Sequence, residues 1–156
     1  MKRTLAFLMI LLISGVAFVQ GADFSGNWKL NATKSKLNDQ FSMAPKEVIL
    51  GQQDNELNVE KHASFQDQEI TIKDKFTLDG KECINQGWQD SKKKSTAVWA
   101  GDKSALTITS KLAIGSGGDE MTIVEVYKLD GENLVIETKA SSSYGEVAET
   151  QVFDKQ

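Results

Sequence analysis

The chain contains a single arginine, Arg3, and one residue each of cysteine, histidine and proline in 156. With no arginine beyond the N-terminal segment, a bidentate guanidinium grip on a carboxylate or phosphate is excluded. One cysteine excludes an intramolecular disulfide and a cysteine-based zinc site, and one histidine excludes a multi-histidine metal site. The formal charge is −4, from 18 basic and 22 acidic residues. That balance supplies no basic patch of the kind a nucleic-acid partner calls for. The expectation is no nucleic acid, no metal and no cofactor.

What is present begins with a basic Met1-Lys2-Arg3 and an apolar run over 4–19, followed by the small residues Gly21 and Ala22. This is the pattern of a secretory signal peptide over 1–21. Cleavage after Gly21 puts Val19 and Gly21 where small side chains are wanted. The run holds 16 residues, short of the roughly 20 that span a bilayer. No cysteine follows it to carry a lipid anchor. Beyond it stand 16 lysines against 22 acids, a net charge of −6. A secreted or periplasmic monomer with no stable membrane insertion after cleavage is expected. In an oxidising compartment the odd thiol, Cys83, is either buried or paired between chains, and its strand-like surroundings favour a buried, inert thiol.

Residues 22–156 show no helical periodicity. They show short runs of period 2 broken by turn dipeptides. In 69–78, Ile70, Ile72, Phe76 and Leu78 share one parity; Glu69, Thr71, Lys73, Lys75 and Thr77 share the other. Asp79-Gly80 then signals a hairpin turn. In 105–114, Leu106, Ile108, Leu112 and Ile114 face one way. Further strands are read at 24–31, 46–51, 56–64, 82–88, 95–100, 120–129, 133–140 and 147–154. About ten strands with short links imply an antiparallel meander, which removes its exposed edges by closing into an up-and-down β-barrel. A two-sheet sandwich is the alternative. The longest irregular stretch, 32–45, has room for one short helix around 35–39. Lys92-Lys93-Lys94 reads as a solvated charge run.

Phe24-Ser25-Gly26-Asn27-Trp28-Lys29-Leu30 carries Phe-x-Gly-x-Trp-x-Leu on the first strand. It resembles the calycin superfamily, the lipocalins and intracellular fatty-acid-binding proteins. Glycine permits close backbone approach, and Trp28 can plug one end of a small barrel. The hairpins around Val98-Trp99-Ala100-Gly101-Asp102 and Val126-Tyr127-Lys128-Leu129-Asp130-Gly131 strengthen the resemblance. The chain looks most similar to small secreted lipocalin-like proteins of bacteria. It ends Thr150-Gln151-Val152-Phe153-Asp154-Lys155. Fatty-acid-binding proteins carry an arginine and a tyrosine where Gln151 and Phe153 stand, and hold the ligand carboxylate with them. That ion pair is impossible here, and 32–45 is too short for their two-helix lid.

The resemblance implies an interior that binds a small hydrophobic ligand, with lipid binding as the family activity. Candidate lining residues are Ile72, Phe76, Gln86, Trp88, Trp99, Ile108, Tyr127, Gln151 and Phe153, together with Ile84, Leu106, Ile123, Leu134 and Ile136. For Trp99, the opposite parity of Val98 leaves open which of the two faces inward. Apolar burial at roughly 25 cal/mol per Å² would drive binding. Gln86, Gln151 and Tyr127 would fix polar groups, since a buried amide must be hydrogen-bonded. Without arginine, a neutral or weakly polar ligand is preferred. The competing reading is a filled barrel acting as an extracytoplasmic interaction or scaffold module. An enzyme is not expected: a catalytic thiol at Cys83 would have only His62 as its base, and His62 shares the outward parity of Asn58 and Glu60.

Overall fold

The structure is a computed structural model and describes residues 21–156 except 66–67, 88–89 and 116. Residues 1–20 of the expected signal peptide over 1–21, and Trp88, therefore lie outside the described residues. Ten strands follow one another: β1 (Gly26–Leu30), β2 (Glu47–Gln53), β3 (Glu56–Phe65), β4 (Gln68–Thr77), β5 (Cys83–Gln86), β6 (Lys92–Trp99), β7 (Ala105–Ile114), β8 (Asp119–Asp130), β9 (Asn133–Ser142) and β10 (Gly145–Lys155). All pairings are antiparallel, in the order β4-β3-β2-β1-β10-β9-β8-β7-β6-β5. This is the up-and-down barrel expected from the short links, and the two-sheet alternative is excluded. The first and last strands close on each other, with Leu30 opposite Phe153.

The expected hairpin at Asp79-Gly80 turns the chain but leaves its strands unpaired, so β4 and β5 border a seam. Side chains do the work of a ladder there. The Lys75 amide donates to Asn85 Oδ1 at 2.9 Å, and Asn85 Nδ2 donates to the Lys75 carbonyl at 3.1 Å. The Thr77 amide donates to Cys83 Sγ at 3.2 Å. Cys83 is thus a free, half-buried thiol occupied in closing the barrel, rather than fully buried as expected.

The helix expected around 35–39 does not form. Those residues run extended along β10, where Lys36 pairs with Thr150 and the Asn31 amide donates to the Val152 carbonyl. They extend the short β1, so the backbone groups of β10 stay satisfied without it. The Nδ2 of Asn31, in the sequence Asn31-Ala32-Thr33, donates to Asp154 at 2.7 Å.

Alternation and register divide the barrel along its axis. One end is packed solid by Phe24, Trp28, Leu57, Phe76, Leu106, Tyr127, Leu134 and Phe153, all at most 2% exposed. Phe24 stacks on Trp99 at 5.7 Å between ring centroids, and the Trp28 indole donates to the Phe24 carbonyl at 2.9 Å. The N-terminal segment therefore caps this end, as the first-strand motif predicts. Gly26 makes the cap possible. Its φ is +145°, and a Cβ there would stand 3.3 Å from Lys155 Cε and 3.5 Å from the Trp28 indole nitrogen.

The seam bonds generate a prediction. Asn85→Ala removes both bonds to Lys75 and should cost about 1–3 kcal/mol of stability in denaturant unfolding. The Lys75 amide should then exchange with solvent faster. An unchanged Lys75 exchange rate would show that β4 and β5 hold together without Asn85.

Candidate functional site

Beyond the packed end the inward positions change character. Lys61, Asp74, Lys93, Ser95, Ser110, Glu125, Glu149 and Gln151 are all buried or nearly so. They form a polar belt across the middle of the barrel. Past the belt, the inward residues Ile70, Leu112, Ile114, Met121, Ile123, Ala140 and Val147 are apolar yet only half-buried. Their counterparts at the packed end are at most 2% exposed. The interior is therefore a solid plug, a polar floor and an open apolar mouth.

The belt is built from pairs. Lys61 on β3 reaches Glu125 on β8, and these strands lie five apart in the sheet, so the ion pair spans the lumen. Both side chains are only 14% exposed. Lys93 on β6 meets Asp74 on β4 at 2.7 Å and bridges the seam over β5. The Ser95 and Ser110 hydroxyls bond each other at 2.8 Å. Glu149 accepts from the Asn38 amide at 2.9 Å and from Gln151 Nε2 at 3.0 Å, which ties the 31–46 segment to the belt.

Not every group is served. Asp74 Oδ1, Tyr127 Oη and Thr138 Oγ1 are buried and make no hydrogen bond. Thr138 stands opposite both Glu125 and Glu149 in register, and Tyr127 is two residues from Glu125. Burial pulls the Lys61 ammonium down, but the Glu125 charge, with Tyr127, the Glu125 hydrogen bond and Asp74, raises it above the ordinary lysine range. Burial, then Glu125, raises the Tyr127 phenol above the ordinary tyrosine range, against the opposing pull of Lys61. The Lys61 nitrogen lies 6.0 Å from the Tyr127 ring centroid.

Most of the expected lining residues face the interior, but they fall in different zones. Phe76, Ile108, Phe153, Leu106, Leu134 and Ile136 are fully or nearly fully buried in the plug. Trp99 faces inward against Phe24, while Val98 is exposed. Tyr127 borders the plug and the belt. Gln151 lies in the belt, and its amide donor is satisfied by Glu149. Ile72 pairs with Lys61, and Ile123 lies in the mouth. Gln86 and Ile84 are corrections. Both face outward, Gln86 donating to Asp90 and Ile84 at 60% exposure, because Cys83 and Asn85 take the inner parity. Lys93 is a third correction, since the middle lysine of the run turns in while Lys92 and Lys94 stay exposed. His62 lies on the outer face, half-buried, 3.0 Å from Glu60.

Outside the barrel, a concavity of about 580 Å³ is lined by Asp23, Trp28, Lys34, Asn133 and Asp154 among others. Its polar groups already bind one another: Asp154 accepts from Lys34 at 2.9 Å and from Asn133 at 2.8 Å. Among the described residues, no group of three His, Cys, Asp or Glu could hold a metal ion.

Two predictions follow from the belt. Lys61→Met strands the Glu125 carboxylate and should destabilise the protein by about 3–5 kcal/mol, while Lys61→Met with Glu125→Leu should recover most of that loss. Additive losses in this cycle would deny the pair. The raised pKa values of Lys61 and Tyr127 mean that the folded protein keeps protons the unfolded chain releases. Their stabilisation is whole below about pH 10, where unfolded tyrosine and lysine begin to titrate, and falls as pH rises further. In Tyr144→Phe, Tyr127 is the only tyrosine. Phenolate absorbance should then appear only with unfolding, and its appearance near pH 10 in folded protein would mean that water reaches the belt.

No protein-family model and no curated protein matches the sequence. Among solved structures, the chain is similar to the ileal bile acid-binding protein of zebrafish, crystallised in complex with cholic acid. The two are 15% identical, the TM-score is 0.57, and the match covers 85% of this chain and 98% of that one. At this identity the likeness is one of fold, and that fold is the calycin β-barrel to which the Phe24–Leu30 motif points.

Proposed function

We propose that this is an exported calycin-type barrel that holds a small hydrophobic, neutral or weakly polar molecule in the mouth of its interior. The observation that carries the reading is the ring of inward, half-buried apolar residues above the polar floor. Apolar surface left open on the concave side of a barrel is the usual setting for a ligand, with a few polar groups to orient it. The ligand displaces water from Met121, Ile123, Leu112 and Val147, at roughly 25 cal/mol per Å² of apolar surface covered. The complex of the similar zebrafish barrel with cholic acid supports this reading. Binding, not catalysis, is the role we assign.

Export rests on the basic start, the apolar run and the small residues at Gly21 and Ala22. The filled barrel acting as an interaction module draws its support from the solid plug below the belt. Native mass spectrometry of protein purified from its own compartment separates the two readings. A chain beginning at Ala22 with a reproducible adduct the size of a small lipid is the expected result. Retention of residues 1–21 would overturn export, and a clean mass after incubation with hydrophobic extract of the same cells would favour the filled module.

A further inference from the structure

The polar floor has a composition that selects among ligands. Two lysines, Lys61 and Lys93, face three carboxylates, Asp74, Glu125 and Glu149, so the belt carries a formal charge of −1. Each lysine is already bound to a carboxylate, and both Glu149 oxygens accept bonds from neutral donors. Three buried groups are left: the carboxylate oxygen Asp74 Oδ1 and the hydroxyls of Tyr127 and Thr138. Asp74 is 8% exposed and Tyr127 fully buried. Asp74 is two residues along β4 from Ile72, the register partner of Lys61; the Tyr127 ring centroid lies 6.0 Å from the Lys61 nitrogen; and Thr138 stands opposite Glu125, the partner of Lys61, so the three groups border one ion pair.

A carboxylate oxygen accepts and never donates, whereas a hydroxyl does either. A buried acceptor without a donor is costly. An acidic head group arriving from the mouth would meet net negative charge and could bond only to the two hydroxyls. A donating head group completes Asp74 and engages the hydroxyls as well. We propose that the polar end of the ligand is a hydrogen-bond donor, a hydroxyl or an amine, received at the floor of the mouth by Asp74, Tyr127 and Thr138. The inference rests on the mouth as the binding site and adds the chemistry of what enters it.

The test uses three probes that share one chain and differ in the head: hexadecanol, hexadecylamine and palmitate. Each competes with Nile red for the full-length mature protein. Hexadecanol or hexadecylamine should displace the dye at concentrations at least about tenfold below those palmitate needs. The alcohol and amine arms distinguish a neutral donor from a charged one. Equal or tighter binding of palmitate would overturn the inference and leave the mouth as a ligand site. Failure of Nile red and of all three probes to bind would instead overturn the mouth itself. Asp74→Asn cancels the floor's excess charge and should shrink the preference to less than about threefold. Should Asp74→Asn fail to fold, Thr138→Val serves in its place. It keeps the shape, removes one unbonded hydroxyl, and should weaken the alcohol severalfold while leaving thermal stability unchanged. Full selectivity in folded Asp74→Asn, or undiminished alcohol binding in folded Thr138→Val, would overturn the assignment of these residues.

Discussion

Lys61 and Glu125 come from opposite walls of the barrel and meet in its middle. A buried ion pair of this kind is a poor source of stability, because desolvating two charges takes back most of what their attraction gives. An apolar pair of the same volume would hold the walls at least as well. The pair imposes position instead. An ammonium that must keep its carboxylate fixes the separation of β3 and β8 and stops the apolar plug from extending upward. Above it the inward apolar residues are only half-buried, because a floor of paired charges offers no apolar surface for them to pack down upon. The division into plug, floor and mouth depends on this one contact.

The seam follows from the same economy of groups. Strand β5 has four residues and no main-chain ladder to β4. Asn85 supplies one donor and one acceptor to Lys75 and so imitates a single rung of a sheet. Lys93 and Asp74 reach over the short strand and tie β6 to β4 from inside. A gap in the ladder is therefore closed by polar side chains, two of which also belong to the floor. Seam and floor form one network, so a change at Asp74 acts on closure as well as on the proposed site.

The sequence is most readable where alternation is apolar. All ten strands are found within a few residues of their bounds, and the plug is visible in the shared parity of Phe24, Gly26, Trp28 and Leu30. The floor is legible too, by a signal easy to pass over. Asp74 sits on the same parity as Ile70, Ile72 and Phe76; Lys61 follows Leu57 and Val59; Glu125 lies between Ile123 and Tyr127. A charge on the dry side of a strand marks a partner across the barrel, whereas a reading that collects only apolar residues skips it. Gln86 and Ile84 fail for the converse reason. In a four-residue strand the inner face is decided by which side chains can bridge the seam, and hydrophobicity does not record that. Pairing Lys61 with Glu125, or Lys93 with Asp74, needs the topology, because no short-range pattern links β3 to β8 or β4 to β6.

The lack of arginine then gains a structural meaning. A guanidinium presents five donors in a fork and can serve a wall carboxylate and a ligand carboxylate together. A lysine ammonium is a point charge, and here each of the two inward lysines is committed to a carboxylate of the wall. A ligand acid competing for either would strand Asp74 or Glu125 as an unpaired buried charge, a change worth several kcal/mol against binding. A donating head displaces nothing. Under the proposal it would meet Asp74 Oδ1, which accepts no other bond, and leave both ion pairs whole. Residues at the Gln151 and Phe153 positions complete the contrast, one bound to Glu149 and the other sealed in the plug. The barrel fold is shared with the zebrafish protein, but here both inward lysines are already paired with carboxylates of the wall, so neither is free to grip an acid.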